Sequence, residues 1–171
     1  MKLVLSKLED IPLIMKVIRD AQTYLALLGI DQWQDGYPTE EQIKIDILNR
    51  DSYIILNYQD EMIGTTVFTF KPEPTYQKID GLGWQTPEDN IYGVIHRLAV
   101  SEEHRKVGLA KFVFDECEVL VKYHSEASSL RIDTHKDNLG MQRLLKIRNY
   151  KYCGIIYLDN GDERMAYEKI L

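Results

Sequence analysis

The sequence predicts an α/β or α+β fold built around one mixed sheet, and three observations predict it. Helix-period and strand-like apolar segments follow one another from end to end. One run, Tyr92 to Val100, is almost continuously apolar, the pattern of a central strand buried on both faces. Neither a repeat nor a composition break divides the 171 residues, so a single domain over 1–171 is expected.

Each element has its own signal. Leu3 to Leu5 reads as a short opening strand. From Asp10 to Leu28, residues Ile11, Ile14, Val17, Ile18, Ala21, Leu25 and Leu28 recur at helical spacing, and Gly29 ends the run as a C-cap. Ile30 to Pro38 is a loop carrying Trp33 and Tyr37. Thr39 followed by Gln42 is a capping-box pattern that opens a helix to about Asn49. Tyr53–Tyr58 and Met62–Phe70 read as strands joined at Gln59-Asp60. A long connection punctuated by Pro72, Pro74, Gly81, Gly83 and Pro87 leads to Asn90, a length that loops often reach for functional reasons. After the central strand, Gly108 to His124 is helical, with Leu109, Phe112, Val113, Cys117, Leu120 and Val121 on one face. Leu130–Thr134 is a strand and Asn138–Ile147 a short helix. Tyr152–Leu158 and Met165–Ile170 form a hairpin around Asp159-Asn160-Gly161-Asp162.

Composition excludes several classes. A chain this long can bury about two thirds of its unfolded surface, so it needs no staples. Cys117 and Cys153 stand far apart and in no metal-ligand spacing, which argues for packing residues, a reducing compartment and no metal. The apolar run at Met1–Lys7 is too short for a signal peptide, and nothing approaches the roughly 20 apolar residues that span a bilayer. No membrane association and a cytoplasmic location are expected. A net charge of −6 with interspersed signs disfavours nucleic acid as a partner and is compatible with a cationic one.

The chemistry concentrates where the central strand ends. Ile95-His96-Arg97-Leu98-Ala99-Val100 is followed by a polar stretch, Ser101 to Val107, and a helix beginning at Gly108. Successive backbone N–H groups at the positive end of a helix suit a phosphate or pyrophosphate. Gly108 and the small Ala110 allow close approach, and Arg105 and Lys106 add positive charge. An ordinary strand-to-helix turn with a glycine at its bend explains the same spacing.

Arg105-x-x-Gly108-x-Ala110, after a strand ending Leu98-Ala99-Val100, resembles the acetyl-CoA signature of the GNAT superfamily of N-acetyltransferases, (Arg/Gln)-x-x-Gly-x-(Gly/Ala). The resemblance covers nearly the whole chain. Asn138 opens a short helix after the next strand, and Asn149-Tyr150 stands where the family usually has Gly-Phe. The segment Gln32-Trp33-Gln34-Asp35-Gly36-Tyr37-Pro38 is similar to a loop of one bacterial branch. The resemblance implies a mixed, mostly antiparallel central sheet flanked by helices, with acetyl-CoA as co-substrate. It further implies that the backbone of Leu98, Ala99 and Val100 pairs with the pantetheine arm. Amides across Arg105, Lys106, Val107, Gly108, Leu109 and Ala110 are expected to hold the pyrophosphate. Asn138 would bond the pantetheine end, with Met141 packing alongside; a plain helix cap is the other role open to Asn138.

Acetylating an amine needs the neutral amine, and a lysine-like ammonium titrates near 10.4. His96 is the preferred base, since many family members carry a glutamate there and imidazole titrates in the useful range. Strand alternation would put it on the side of Leu98 and Val100. A buried histidine that bonds a neighbour is the competing account, and His135 is a weaker candidate; His104 and His124 are expected at surfaces. Where many family members place a tyrosine acid, this chain has Leu145; Tyr157 is a weak substitute, and a thiolate can also leave unassisted. Trp33, Tyr37, Tyr76 and Trp84 are candidate walls for a small-molecule or peptide amine, or core packing. A homodimer is compatible with the family. The leading expectation is an acetyl-CoA-dependent N-acetyltransferase. A non-catalytic acyl-CoA-binding sensor is the alternative, and a phosphate- or nucleotide-binding domain lacks the expected lysine-serine or glycine fingerprints.

Overall fold

The apolar periods become eight strands and four helices among the residues that the computed structural model describes, 1–105 and 108–171. In chain order these are β1 (Lys2–Leu5), α1 (Ile11–Leu27), α2 (Glu40–Leu48), β2 (Ser52–Leu56), β3 (Met62–Thr69), β4 (Asp80–Gly81), β5 (Ile91–Val100), α3 (Leu109–Tyr123), β6 (Ala127–Thr134), α4 (Leu139–Ile147), β7 (Lys151–Tyr157) and β8 (Glu163–Ile170). The strand order is β1-β2-β3-β5-β6-β8-β7-β4. Pairs β1–β2, β2–β3, β4–β7, β6–β8 and β7–β8 are antiparallel, and β5–β6 is parallel. The sheet is therefore mixed and mostly antiparallel, as expected.

Two compact units share this order: Met1–Phe68 with Ile95–Glu116, and Thr69–Val94 with Cys117–Leu171. Each is assembled from interleaved segments, so β5 and α3 contribute to both.

In the first unit, α1 buries Ile11, Ile14, Val17, Ile18 and Leu25, the stripe that its spacing predicts. These pack with Ile43 and Ile47 of α2, Ile54 of β2 and Ala99 of β5. Ile14 and Ile18 are wholly buried, each contributing about 1.5–3 kcal/mol relative to exposure. Gly29, at φ +70, donates to Ala26 O at 2.9 Å, closing α1 where the sequence places its cap. Thr39 Oγ1 accepts from Gln42 N at 3.2 Å and starts α2.

In the second unit, Tyr76, Tyr92, Val94, Ile156 and Ala166 form one core cluster. Asn149, at φ +64, takes the left-handed turn after α4 that glycine usually fills and asparagine tolerates. Tyr150 then buries its ring and brings its hydroxyl within 3.4 Å of Glu118. That pair accounts for Asn-Tyr standing where Gly-Phe is usual.

Differences from expectation include two strand starts and one connection. The strand β6 starts at Ala127 rather than Leu130, because Ser129 lies buried in the ladder and bonds Glu168. Strand β8 starts at Glu163 rather than Met165. The long connection contains β4, which approaches Gly154 so closely that a Cβ there would lie 2.4 Å from Asp80 O. No helix among the described residues is long and apolar enough to cross a membrane.

Candidate active site

The first unit supplies the strand end, the turn and the helix start. The β5–β6 ladder covers Ile91–Val94, so Leu98, Ala99 and Val100 lie beyond it on the same strand. Ala99 faces the core, and Gly64 of β3 sits so close that an added Cβ would lie 2.9 Å from Ala99 O and 3.0 Å from Leu109 Cδ1. That close approach fixes the first residue of α3 beside the end of β5. Ser101 N donates to Ile63 O at 3.0 Å, and Ser101 Oγ lies 2.9 Å from His104 Nδ1, which shapes the short turn Glu102–His104.

Arg105 does more than add charge. Its guanidinium donates to Asp20 O at 2.7 Å and lies 4.2 Å over the Tyr24 ring, so it binds the turn to α1. Glu102 N also reaches Asp20 Oδ2, at 3.2 Å. Lys106 and Val107 lie outside the described residues. Gly108 has φ +79 with open space around its would-be side chain, so backbone conformation rather than crowding demands glycine. Gly108 O accepts from Phe112 N at 3.0 Å, Leu109 is buried, and Ala110 follows on the first turn of α3.

His96 lies midway along β5, where its carbonyl accepts from Thr66 Oγ1 at 3.3 Å. The next residue, Arg97, has φ +51. This left-handed residue interrupts strand alternation, so the expected common face of His96, Leu98 and Val100 does not follow from strand geometry. Arg97 instead turns into a polar cluster. Its guanidinium donates to Asp46 Oδ1 at 2.7 Å and to Tyr37 Oη at 2.5 Å. Gln42 Nε2 donates to the same Asp46 oxygen at 3.0 Å. Burial pushes the Asp46 carboxyl above its usual range, against the opposing pull of Arg97, Gln42 and His96. Asp46 Oδ2 and Arg97 Nε are buried without a hydrogen-bond partner among the described residues.

The loop ahead of α2 carries the aromatic candidates of this unit. Trp33, at φ +66, packs half-buried against the core. Tyr37 is exposed at its ring, while its backbone is held by Gln22 Nε2 to Tyr37 O at 2.9 Å and Tyr37 N to Asp35 Oδ1 at 3.1 Å.

The second unit holds the remaining candidates. Asn138 caps α4, its Oδ1 accepting from Met141 N at 3.1 Å. Leu145 is fully buried, so the position of the usual tyrosine belongs here to the core. His135 is buried, and its Nδ1 accepts from Asp137 N at 3.2 Å. Tyr157 donates to Asp80 Oδ2 at 2.9 Å, a bond that raises its pKa. Tyr76 is 2% exposed and donates to Asp133 Oδ1 at 2.8 Å, and Trp84 bonds the Tyr76 carbonyl. Both therefore stand in or against the core of this unit. His104 and His124 are half-buried, the latter with its ring tilted against Phe70 at 4.3 Å between centroids. Both cysteines are buried. No group of three or more metal-ligating side chains occurs among the described residues.

Asp46 and Arg97 escaped the sequence reading, although a signal existed. Asp46 falls on the stripe of Ile43 and Ile47, and Arg97 interrupts an apolar strand. Two charges of opposite sign at core positions are a pair in waiting.

Residues 17–150 match the model of the acetyltransferase (GNAT) family. A GNAT-family acetyltransferase from Streptococcus agalactiae is 32% identical, with a TM-score of 0.87 over 99% of this chain and 95% of that one. A GNAT-family acetyltransferase from Listeria monocytogenes shares the fold at 18% identity, TM-score 0.78, over 99% and 94% of the two chains. So does a ribosomal-protein-alanine N-acetyltransferase from Brucella melitensis, at 13% identity and TM-score 0.69 over the whole of both. No curated protein matches the sequence.

Proposed function

We propose, from the premise that the chain belongs to the acetyltransferase (GNAT) family, that it moves the acetyl group of acetyl-CoA onto a primary amine of a small molecule or peptide. The observation that carries this reading is the succession at the end of β5: a strand running beyond its pairing with β6, a turn tied to α1, Gly108 at positive φ, and the start of a fifteen-residue helix. Because Arg105 is committed to Asp20 and Tyr24, the pyrophosphate would rest on backbone amides and the positive end of α3. The strand edge at Leu98–Val100 would take the pantetheine arm as an added strand takes a sheet edge. The family pattern adds Asn138 and Met141 to the cofactor's contacts. It also supports one domain over 1–171, since the matched residues run through both units.

In the reaction the amine nitrogen attacks the thioester carbonyl, the new C–N bond forms, and the C–S bond breaks to release the thiolate of coenzyme A. The nitrogen loses a proton, which His96 would take directly or through water. Leu145 leaves no tyrosine acid at the family's place, so the thiolate would leave unassisted or with a proton from Tyr157. Trp33 and Tyr37 supply the acceptor wall in this reading. Tyr76 and Trp84 belong to the core packing of the second unit and supply no wall in this reading. A bacterial, cytoplasmic enzyme is consistent with these neighbours.

Thermal unfolding with acetyl-CoA, against ATP and NAD as controls, tests the cofactor. Ligand at about 100 times its dissociation constant adds roughly 2.7 kcal/mol, which shifts the midpoint by several degrees at this length. Thiol release with a panel of amines then tests transfer, and His96→Gln should slow it by about 10²–10⁴-fold. No shift with acetyl-CoA sinks the reading. Binding without turnover would leave an acyl-CoA-binding module.

A further inference from the structure

We propose that Arg97 is a positioning residue for the acceptor loop, residues 30–38, holding Tyr37 in place through a guanidinium anchored on Asp46. This deepens the acetyltransferase reading and rests on it. Arg97 departs from strand geometry at φ +51, a strained conformation for a side chain of its size. The departure turns its guanidinium toward α2 and the loop. One nitrogen meets Asp46 at 2.7 Å, the other meets Tyr37 Oη at 2.5 Å, and the guanidinium lies 5.9 Å from the Tyr37 ring centroid. A planar fork can serve both partners at once, whereas a lysine ammonium is a single point on a flexible stem.

The anchor is firm because the Asp46 side chain is 7% exposed and that of Arg97 is 12% exposed. Thr39 caps α2 at one end and Gln42 holds the Asp46 carboxylate, so the anchor itself has little freedom. Bonds from Gln22 and Asp35 hold the Tyr37 backbone, and Arg97 holds the hydroxyl. The same residue stands directly after His96 and one residue before Leu98. Strain in β5, the candidate base and the loop's aromatic wall thus meet at Arg97. With Asp46 cancelling its charge, Arg97 presents no net cation to repel an incoming ammonium.

Trp33 reports the loop without any knowledge of the acceptor. In a Trp84→Phe background it is the sole tryptophan, so acrylamide quenching of its fluorescence reads loop exposure. Tyr37→Phe removes one oxygen and leaves the ion pair intact. Arg97→Met with Asp46→Leu replaces the pair by apolar side chains, a change that buried ion pairs often tolerate without unfolding. Both should raise the quenching constant of Trp33 on the order of twofold, as expected for local loosening. Arg97→Lys should do the same, because charge alone does not reach Tyr37. Unchanged quenching in Tyr37→Phe and the double variant overturns the proposal. A rise in the double variant with wild-type quenching in Arg97→Lys also overturns it, reducing Arg97 to a charge beside Asp46.

Calorimetry of acetyl-CoA keeps the two readings apart. Its dissociation constant should stay within about twofold of wild type in all variants, while the KM of any amine that turns over rises about tenfold at similar kcat, the mark of lost acceptor binding. An unchanged amine KM overturns the proposal. Acetyl-CoA that fails to bind the wild-type protein removes the acetyltransferase reading instead, and Trp33 still decides whether Arg97 holds the loop.

Discussion

In each unit an arginine is buried against a carboxylate, Arg97 on Asp46 in the first and Arg131 on Glu168 in the second, and these two pairs are built to opposite standards. In the second unit, Glu168 is wholly buried and takes Arg131 Nε at 2.9 Å, Ser129 Oγ at 2.7 Å, Thr86 Oγ1 at 2.5 Å, and the backbone N–H groups of Gln85 and Thr86. Arg131 lies between Tyr92 and Trp84, 3.8 and 4.3 Å from their centroids. In the first unit, Asp46 and Arg97 share a bond of 2.7 Å yet leave one oxygen and one nitrogen without a hydrogen-bond partner among the described residues. Arg97 is also strained. Satisfying every lone pair is what makes a buried ion pair stabilising rather than costly. The second pair is a clamp that fastens the connection at residues 85–86 to β6 and β8. The first accepts incomplete bonding and strain, which is where proteins build function rather than stability.

Removing one partner from each pair tests this contrast most strongly. Glu168→Gln leaves the Arg131 charge buried and weakens five bonds, so a loss of about 3–5 kcal/mol in unfolding free energy is expected. Asp46→Asn should lose less, since a carboxylate already short of partners gives up less when neutralised. Urea unfolding of both variants gives the order. Equal losses would mean that the second set of bonds adds nothing to the clamp.

The contrast was partly legible before the fold was known. Alternation and helical spacing carry the main elements because burial acts on every residue of a face. Gly29 and Thr39 were readable because each sits where backbone geometry or an unsatisfied donor admits few residue types. The clamp was not, since Glu168 and Arg131 are 37 residues apart and look like solvated charges on half-apolar strands. Ser128 and Ser129 hid the start of β6, being weak strand formers held by Leu171 N and Glu168. At the candidate site the glycine turn before α3, proposed here for the cofactor, was visible as a local motif. The Arg97 bend was not, because alternation assumes an unbroken strand. Its partners Asp46 and Tyr37 come from a helix and a loop far away in the chain.

Acid should separate the pairs by sign. Hydrogen bonds from Thr86, Ser129 and Arg131 outweigh burial and hold the Glu168 carboxyl below its ordinary range. Between that lowered value and the ordinary carboxylate value of about 4, the unfolded chain binds more protons, so stability falls as pH falls. Burial holds Asp46 above its ordinary range instead. Between the ordinary and raised values the folded state binds more protons, so the Asp46 contribution falls as pH rises. Wild-type stability relative to Glu168→Gln should therefore shrink on acidification, and relative to Asp46→Asn should shrink on going from acid toward neutral pH. Parallel slopes in the two comparisons would show that both carboxylates are held alike.

The smallest expected effect is a change in one thiol. Burial and the neighbouring Glu168 charge push Cys153 up to about 11, so native protein at pH 8 should alkylate there very slowly. Glu168→Gln removes the charge and loosens its surroundings, and both changes favour the thiolate. Asp46→Asn acts in the other unit and leaves both untouched. Iodoacetamide labelling read by mass spectrometry at Cys153 should therefore rise in Glu168→Gln and stay at the wild-type rate in Asp46→Asn. A rise in both would mean that loosening the first unit's pair reaches Cys153 as well. A rise in neither would locate the resistance of Cys153 in apolar packing alone.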